Sequence, residues 1–356
     1  MALRTRHKLL ALLPTLAMAT LAAACGTVQD NPSGGGGGAP GNTTAAAIPT
    51  PTKDDALAAM VPADIKADGK IVVGQDQSYP PNEFVENGQV VGMDVDLGKA
   101  IGQKLGLEFT YENSAFDGII PGLQANRYEA AMSSFTINAE RLQQVDMVSY
   151  FSAGTSGAVL KGNPDKLTLD TLCGKNVAVQ KGTVQVEDLE ARTAKCTQAG
   201  QPAINVQQFQ NQTDANLALT SKRVAAMLAD SPVIDYAIKV TNNQLEQVGQ
   251  VYDTAPYGLI VPKGKGDFAK AVQGAIQALI DDGTYKKILE KWGVQQGAVT
   301  KAEVNPRTRG LSWRLTCHPQ PKNAARNRSK RFRCGTSAAG SAARSCCCSP
   351  RWRSAA

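Results

Sequence analysis

The feature that most constrains the fold is an alternation of short apolar strands with longer amphipathic helices, which occurs twice along the chain. The first series spans residues 70–133 and the second spans 176–239. This alternation is typical of parallel sheets that carry helices on both faces. A chain of 356 residues is long enough to bury two separate cores. The sequence therefore predicts an α/β protein with two doubly wound α/β lobes.

The same pattern locates the individual elements. We predict strands over 70–75, 108–113, 128–133, 176–180, 204–209, 224–229 and 257–262. We predict helices over 93–105, 118–125, 184–196, 214–221, 232–239, 268–282 and 285–292. Ligands in such folds bind at the carboxyl ends of the strands, so residues directly after a strand are the first candidates for a site.

Three small hydroxyl side chains close the strand predicted over 128–133, and an arginine follows them in a short predicted helix. These residues are Ser133, Ser134, Thr136 and Arg141. A guanidinium group binds carboxylate bidentately and keeps its charge at any working pH. The pattern therefore indicates a pocket for a small planar anion, although a capped helix with a surface arginine would account for the same residues.

The order Ser-Ser-x-Thr, four residues and then Arg resembles the carboxylate clamp of the polar amino-acid-binding proteins of ABC importers. These are the family 3 extracellular solute-binding proteins. Three further segments resemble parts of this family: the Gly-x-Asp-x-Asp helix start at 92–105, the segment 116–124 and the final helix at 282–293. The resemblance implies a periplasmic binding protein-like fold of type II, with a hinge of two crossings near Gly154 and Ala255.

The resemblance also implies how the chain is divided. Lobe 1 would comprise residues 61–154 and 256–300, and lobe 2 would comprise residues 155–255. A polar α-amino acid would bind between the lobes and then pass to an ABC permease in the membrane, with closure burying the ligand. The protein is expected to act as a monomer.

The residues that the resemblance assigns to the amino acid are Ser134, Thr136, Arg141, Thr183, Asp230, Asp76, Tyr79 and Phe116. Arg141 and the hydroxyls would bind the carboxylate, and Asp230 would pair with the α-ammonium. Asp76 would approach the ligand side chain, while two aromatic rings sandwich its carbon chain. The loop after Tyr79 is longer than is usual in the family, so either Tyr79 or Phe84 could face the pocket. Helix capping remains the alternative role for Thr183, and so does helix entry for Asp230.

The formal charge of +7 is unevenly distributed. Residues 1–25 hold three Lys and Arg, and residues 307–356 hold twelve, with no acidic residue in either segment. Residues 26–306 therefore carry 23 basic and 31 acidic groups, a net charge of −8. Because this body is acidic, it has no basic surface with which to bind nucleic acid.

Residues 1–25 have the features of a lipoprotein signal peptide. Basic residues precede an apolar run over 9–24 that is short for a bilayer span and is interrupted by a proline. The run ends in Leu-Ala-Ala-Ala-Cys-Gly, which resembles a bacterial lipobox. We expect a lipid-modified Cys25 to anchor an extracytoplasmic protein to the cell membrane, and cleavage to a soluble protein is the alternative. The glycine-rich residues 26–60 would form a flexible tether.

The cysteines outside the signal peptide fall into two groups. In an exported protein Cys173 and Cys196 are expected to form a disulfide, because a strand and a returning helix bring their positions together. Zinc is not expected, since residues 26–306 contain no histidine and no third cysteine, and no cofactor is implied. The other cysteines are Cys317, Cys334, Cys346, Cys347 and Cys348. They lie in residues 301–356, which we interpret as a disordered basic tail or an out-of-frame translation.

Two other functions are open at this point. One is a periplasmic enzyme on the same fold, similar to cyclohexadienyl dehydratase, which fold alone does not exclude. We expect a binding protein and no enzyme, because the body offers no histidine and its candidate carboxylates have binding roles. The other is a sensor ectodomain. That function requires a membrane-spanning segment after residue 57, and the sequence predicts none.

Overall fold

The computed structural model describes residues 48–308, and the structural statements below concern that part of the chain. The predicted signal peptide, Cys25 and the five tail cysteines lie outside the described residues. The first half contains α1 (Asp55–Met60), β1 (Lys70–Gln75), β2 (Ser78–Tyr79), β3 (Glu83–Glu86), β4 (Gln89–Val91), α2 (Met93–Leu105), β5 (Glu108–Asn113), α3 (Phe116–Gln124), β6 (Ala130–Ala131), α4 (Ala139–Gln144) and β7 (Asp146–Leu160). The second half contains β8 (Asn176–Gln180), α5 (Val184–Gln198), β9 (Asn205–Phe209), α6 (Gln212–Thr220), β10 (Ala226–Asp230), α7 (Ser231–Val240), β11 (Leu245–Val261), α8 (Phe268–Asp281), α9 (Thr284–Trp292) and a 3₁₀ turn at Gln295–Gly297.

Eight strands form one continuous sheet in the order β5-β1-β6-β11-β7-β10-β8-β9. At one end β1 pairs in parallel with β5 and β6, and at the other end β8 pairs in parallel with β9 and β10. The two central strands, β7 and β11, run antiparallel to each other. Each parallel group with its helices is one lobe, so the predicted fold class of two α/β lobes joined by two crossings is confirmed.

The hinge region lies in the middle of the two long strands. Ala153 of β7 pairs with Ala255 of β11, and Gly154 lies next to this pair. The register of the two strands shifts on either side of Tyr252 and again after Tyr257. Irregular pairing leaves backbone groups free to change partners, so bending between the lobes is easiest at this point.

Both lobes bury apolar side chains on the two faces of the sheet. In lobe 1, α2, α8 and α9 pack around Leu97 on one face, and α3 packs around Ile119 on the other. In lobe 2, α6 and α7 pack around Val233 on one face, and α5 packs around Leu189 on the other. The helices thus cover both faces of each parallel group, as the alternating pattern predicts.

Two strands differ most from their predicted bounds. Strand β6 contains only two residues, because the chain leaves the sheet at Met132 and Ser134 takes a left-handed backbone with φ 53°. Strand β11 begins at Leu245, twelve residues before the predicted start at 257. Neither its first half nor β7 was predicted. Serine, threonine and glycine occupy many buried positions of β7, and most residues in the first half of β11 are exposed or half-buried. No apolar period therefore marks either segment.

The predicted tether and tail boundaries are wrong by several residues. Residues 54–60 lie within the predicted tether, yet Asp54 caps α1 and donates its backbone N–H to the carbonyl of Lys104. Leu57 of α1 packs against the lobe 1 core. At the other end, Val304 forms a bridge with Val148 of β7, and Ala302 is buried. Both segments therefore belong to the folded body, because each supplies apolar side chains and backbone hydrogen bonds to lobe 1.

Candidate ligand-binding site

A cavity lies between the lobes, where β1, β6, β8 and β10 end. Its lining consists of Asp76, Tyr79, Phe116, Ser133, Ser134, Thr136, Arg141, Gln180, Thr183, Val184, Gln185 and Asp230. All eight residues that the resemblance assigns to the amino acid are among them. The topology explains this gathering, since parallel strands end at the same edge of a sheet and the edges of the two lobes face each other.

The guanidinium group of Arg141 is buried, and its hydrogen bonds within the described residues go to carbonyl oxygens. Asn138 caps α4 and sets its direction, so that Arg141 in the first turn points into the cleft. Its Nη1 donates to the carbonyl of Thr136 at 2.8 Å, and its Nη2 donates across the cleft to the carbonyl of Gly182 at 3.1 Å. Burial lowers the pKa of Arg141 to about 10, and no carboxylate of the described residues forms a salt bridge with it. A buried cation without an anionic partner is suited to bind an incoming carboxylate.

Asp230 is the anionic counterpart of Arg141, a buried carboxylate that accepts hydrogen bonds from neutral donors. It follows β10 at the start of α7 and is only 6% exposed. Its Oδ1 accepts from Nε2 of Gln185 at 2.8 Å, and its Oδ2 accepts from the hydroxyl of Tyr257 at 2.7 Å. Burial raises the pKa of Asp230, and no lysine or arginine of the described residues lies at salt-bridge distance from it. A cation at this end of the cavity would complete its charge pairing.

A second buried carboxylate lies at the cleft, directly after β1. Asp76 is 3% exposed, and its Oδ2 accepts from Nε2 of Gln180 in lobe 2 at 2.6 Å. Its Oδ1 accepts from the backbone N–H of Ser78 at 2.9 Å. Burial raises the pKa of Asp76. This carboxylate therefore connects the lobes through neutral donors alone and can still accept hydrogen bonds from a cationic group.

The aromatic residues of the cleft divide into those that line the cavity and one that does not. Phe116 stacks on Phe135 with ring centroids 4.5 Å apart, and the Arg141 guanidinium lies 5.4 Å from the Phe116 centroid. Tyr79 inserts into an apolar cluster of lobe 2, where its hydroxyl accepts from the N–H of Asp230 at 3.2 Å. Phe84 instead packs at the outside, with ring centroids 5.9 Å from both Tyr236 and Trp292. Tyr79, and not Phe84, lines the cavity.

The hydroxyl of Thr183 does not cap α5, which was the alternative role for this residue. Thr183 occupies the capping position of α5, yet its Oγ1 donates to the carbonyl of Gln180 at 2.8 Å and accepts nothing from the helix. The first residues of α5, Val184 and Gln185, line the cavity. Their backbone N–H groups belong to the unpaired first turn of a fifteen-residue helix, which favours a negative charge. The helix start therefore complements Arg141.

Four lining residues were not predicted as ligand contacts: Ser133, Gln180, Val184 and Gln185. Gln180 is the last residue of β8, so the rule that ligands bind at strand ends indicated it. Gln185 carries no comparable signal, because a glutamine in the first turn of a helix is ordinary. Its contact with Asp230 depends on the approach of α5 to β10, which the local sequence does not encode.

The described residues show neither a metal centre nor a membrane span. No group of three histidine, cysteine or acidic side chains within residues 48–308 is arranged to hold a metal ion. None of the helices in this range is long and apolar enough to cross a bilayer. The predicted disulfide is confirmed, with Cys173 at the end of the loop before β8 and Cys196 in the last turn of α5.

Comparison with known proteins agrees with this geometry. The bacterial extracellular solute-binding proteins, family 3, match residues 71–295 of the chain. The chain belongs to this family. The arginine-binding protein of Corynebacterium glutamicum is 33% identical over 260 residues, which cover 72% of this chain and 84% of that protein. The family 3 protein described here is therefore a substrate-binding protein of an ABC importer that binds a polar α-amino acid for a membrane permease.

Two solved structures extend the comparison. An ancestral arginine-binding protein bound to arginine is 37% identical, with a TM-score of 0.59, over 63% of this chain and 98% of that one. An ancestral amino-acid-binding protein described as a precursor of cyclohexadienyl dehydratase is 33% identical, with a TM-score of 0.58, over 64% and 97% of the two chains. Members of the family are extracytoplasmic, so the family 3 protein shares that location.

Proposed function

We propose that the family 3 protein binds a cationic α-amino acid, with L-arginine as the preferred ligand, and delivers it to its permease. One observation carries this proposal. Arg141 and Asp230, two buried groups of opposite charge, line the same cavity, and neither forms a salt bridge within residues 48–308. A zwitterion that places its carboxylate at Arg141 and its ammonium at Asp230 would neutralise both. Leaving either charge unpaired in a dry site costs several kcal/mol.

The preference for a cationic side chain rests on Asp76. This third buried charged group of the lining accepts only from neutral donors, Gln180 and the backbone of Ser78. A guanidinium group could donate to Oδ2 in a charge-assisted hydrogen bond, which is stronger than the bond from an amide. Phe116 would cover the aliphatic part of the ligand. The arginine-binding relative from Corynebacterium and the arginine-bound ancestral structure support the same choice.

The remaining assignments complete the site. Ser134, Thr136 and the first turn of α5 at Thr183 would contact the ligand carboxylate beside Arg141. Tyr79 would close the cavity from the side of lobe 2. Because the lining is contributed by both lobes, the ligand stabilises the arrangement in which they touch. The permease would then recognise this arrangement, with the protein acting as a monomer.

A thermal-shift screen with the twenty amino acids tests the ligand. A ligand that binds only the folded state raises the unfolding midpoint by mass action. L-Arginine should give the largest shift, and citrulline should give a much smaller one, because it has the same shape without the charge. In Asp76→Asn the preference for arginine over citrulline should shrink. Asp96→Asn is a matched control, since that carboxylate pairs with Lys291 on the surface of lobe 1. A larger shift with citrulline would refute the cationic ligand.

We further propose that Cys25 is lipid-modified after cleavage of the signal peptide at residues 1–25, which anchors the protein to the membrane. The support is the lipobox-like sequence that precedes Cys25. Mass spectrometry of the membrane fraction should find acyl chains on Cys25, and Cys25→Ala should move the protein into the soluble fraction. An unmodified Cys25 in membrane-bound protein would contradict the anchor.

We propose that the protein binds its ligand without catalysis, and a turnover assay distinguishes this function from that of a dehydratase. The similarity to a precursor of cyclohexadienyl dehydratase is the reason to test that reaction. Residues 26–306 contain no histidine, and the two carboxylates of the lining, Asp76 and Asp230, both have ligand roles in the proposed site. Incubation with prephenate should therefore give no product. Turnover that Asp230→Asn abolishes would establish an enzyme.

A further inference from the structure

Two carboxyl groups lie side by side in the interior of lobe 1, next to the serines that line the cavity. Glu83 begins β3 and Asp94 lies in the first turn of α2, and both are fully buried. The backbone brings them together, because the N–H of Asp94 donates to the carbonyl of Asn82 at 2.9 Å. Gly92 permits this approach, since a side chain there would collide with that carbonyl. The pairing of the two acids is thus a feature of the backbone.

No positive charge among residues 48–308 compensates this acidic pair. The ionisable groups that face it from the surrounding elements are Asp76 after β1, Tyr79 in β2, Tyr111 in β5 and Tyr150 in β7. All of them are acidic or phenolic. Two adjacent carboxylates in such surroundings cannot both stay ionised, so the pair keeps a proton at neutral pH. Burial raises the pKa of Glu83 well above its usual range and that of Asp94 to about 6.

The hydrogen bonds indicate which carboxyl holds the proton. Oδ2 of Asp94 accepts from the hydroxyl of Tyr150 at 2.7 Å and from the N–H of Ser134 at 2.9 Å. Oδ1 of Asp94 is buried, and no N–H or hydroxyl of the described residues donates to it. Glu83 is a hydrogen-bond neighbour of Asp94, and its carboxyl O–H supplies the missing donor. A neutral Glu83 beside an ionised Asp94 therefore satisfies the site.

The protonation state of Glu83 determines which acceptor the hydroxyl hydrogen of Ser134 can bond to. The Ser134 oxygen accepts from Nδ2 of Asn82 at 2.9 Å, and it lies 3.1 Å from Oε2 of Glu83 and 3.5 Å from Oδ2 of Asp94. An ionised Glu83 would hold the Ser134 hydrogen. A neutral Glu83 that carries its proton on Oε2 would donate to Asp94 and leave Ser134 only the longer contact with Oδ2 of Asp94. Ser133 keeps its own partners in either case, since it donates to Oε1 of Glu83 at 3.0 Å. Protonation of Glu83 therefore weakens the hydrogen bonding of Ser134 and leaves that of Ser133 in place.

We propose that Glu83 is a positioning residue for the ligand carboxylate: its proton bonds to Asp94 and leaves the hydroxyl hydrogen of Ser134 free to turn into the cavity. This inference rests on the proposed carboxylate site of Arg141 and Ser134. When Glu83 loses its proton, Ser134 again donates its hydroxyl hydrogen to Glu83, and a second negative charge lies near the ligand carboxylate. Ligand affinity therefore falls as the pH rises through the upper titration of the pair.

Infrared spectroscopy detects the proton without any ligand. The carbonyl band of a protonated carboxylic acid should be present at pH 7 in the wild type and absent in Glu83→Gln. Glu86→Gln is the matched control, because Glu86 lies in the same strand and is exposed. The control should keep the band. A wild type without this band, or a band that survives in Glu83→Gln, would overturn the assignment of the proton.

Calorimetry with L-arginine between pH 5.5 and 8.5 tests the link to binding. For the wild type, log Kd should rise above the upper pKa of the pair with a slope of up to about one per pH unit, as expected for one linked proton. Glu83→Gln mimics the neutral acid, so it should bind arginine with no such rise, whereas Glu86→Gln should follow the wild type. A wild-type profile as flat as that of Glu83→Gln would overturn the positioning role. Failure of arginine to bind at any pH would refute the proposed ligand, while the infrared result would still stand.

Discussion

Asp117 of lobe 1 and Lys181 of lobe 2 form an ion pair of 2.8 Å across the cleft. The other carboxylate oxygen of Asp117 accepts from Nε2 of Gln210, also in lobe 2, at 2.7 Å. Gly182 lies against the backbone of Asp117, and a side chain there would collide with it. The local sequence carries no signal for this contact, because the lobe 2 partners of Asp117 are distant along the chain. Through Lys181 and Gln210, Asp117 holds the two lobes together, and we call this set of contacts the latch.

We predict that Asp117→Ala weakens ligand binding without unfolding the protein. The ion pair is partly exposed, so its loss should cost about 1 kcal/mol of binding, or roughly fivefold in Kd. Calorimetry with the preferred amino acid measures this loss. Asp96→Ala is the control, because it removes an ion pair of 2.6 Å with Lys291 that lies wholly within lobe 1. Equal Kd values for the two variants would argue against the latch.

We predict that the folded body ends between residues 300 and 308. A chain that stops at Asn305 should keep the melting temperature and ligand affinity of the full chain. One that stops at 300 should melt several degrees lower, because it loses the Val304 bridge and the bonds that Asn305 makes with Met147. Differential scanning calorimetry of the three chains decides this. A large loss in the chain that ends at Asn305 would show that the basic tail is part of the fold.

We predict that the disulfide stabilises lobe 2. Cys173 and Cys196 are 23 residues apart, and closing a loop of this length is worth about 3 kcal/mol. The Cys173→Ser and Cys196→Ser double variant should unfold at correspondingly lower denaturant concentration. Since neither cysteine lines the cavity, its ligand affinity should not change. Alkylation of both thiols in the native oxidised protein would contradict the bond.

We predict that the wild type loses stability as the pH rises above about 4. Asp94 titrates near 3.8 when unfolded and at about 6 when folded, so the folded state binds more protons in between. The contribution is present below the unfolded pKa and is lost as the pH rises through the folded pKa. Glu83, whose folded pKa is also raised, extends this loss to higher pH. Urea titrations at several pH values should therefore show that the free energy of unfolding declines more steeply with rising pH for the wild type than for Glu83→Gln. Parallel declines would contradict this prediction.

Much of the lobe architecture could be predicted from local pattern. The predicted bounds of β1, α2, β5 and β8 agree with the structure, because each has a clear apolar period and a polar or glycine boundary. Strand β7 and the first half of β11 were not predicted. Strand β7 buries many small residues and the first half of β11 is mostly exposed, so neither shows a regular apolar alternation. Such strands are specified by their partners, and those partners are distant in sequence.

Some residues of the candidate site could be predicted from the sequence and others could not. Residues that follow strands, such as Asp76 and Asp230, could be placed at the cavity because strand ends share one edge of the sheet. The contact of Gln185 with Asp230 could not, since it depends on the approach of α5 to β10. The contact of Asp117 with Lys181 could not either, since it forms only where the two lobes meet. The proton shared by Glu83 and Asp94 was also hidden, because it depends on the packing of β3 against α2 and on the exclusion of every basic side chain.

The central claim is that Arg141 holds the carboxylate of the bound amino acid, and a comparison of two ligands on two proteins tests it most directly. Calorimetry should measure L-arginine and agmatine, which lacks the carboxylate, on the wild type and on Arg141→Ala. We predict that Arg141→Ala costs about 2–5 kcal/mol for arginine, because the buried carboxylate loses its partner, and almost nothing for agmatine. Equal losses for both ligands, or an unchanged affinity for arginine, would contradict the account.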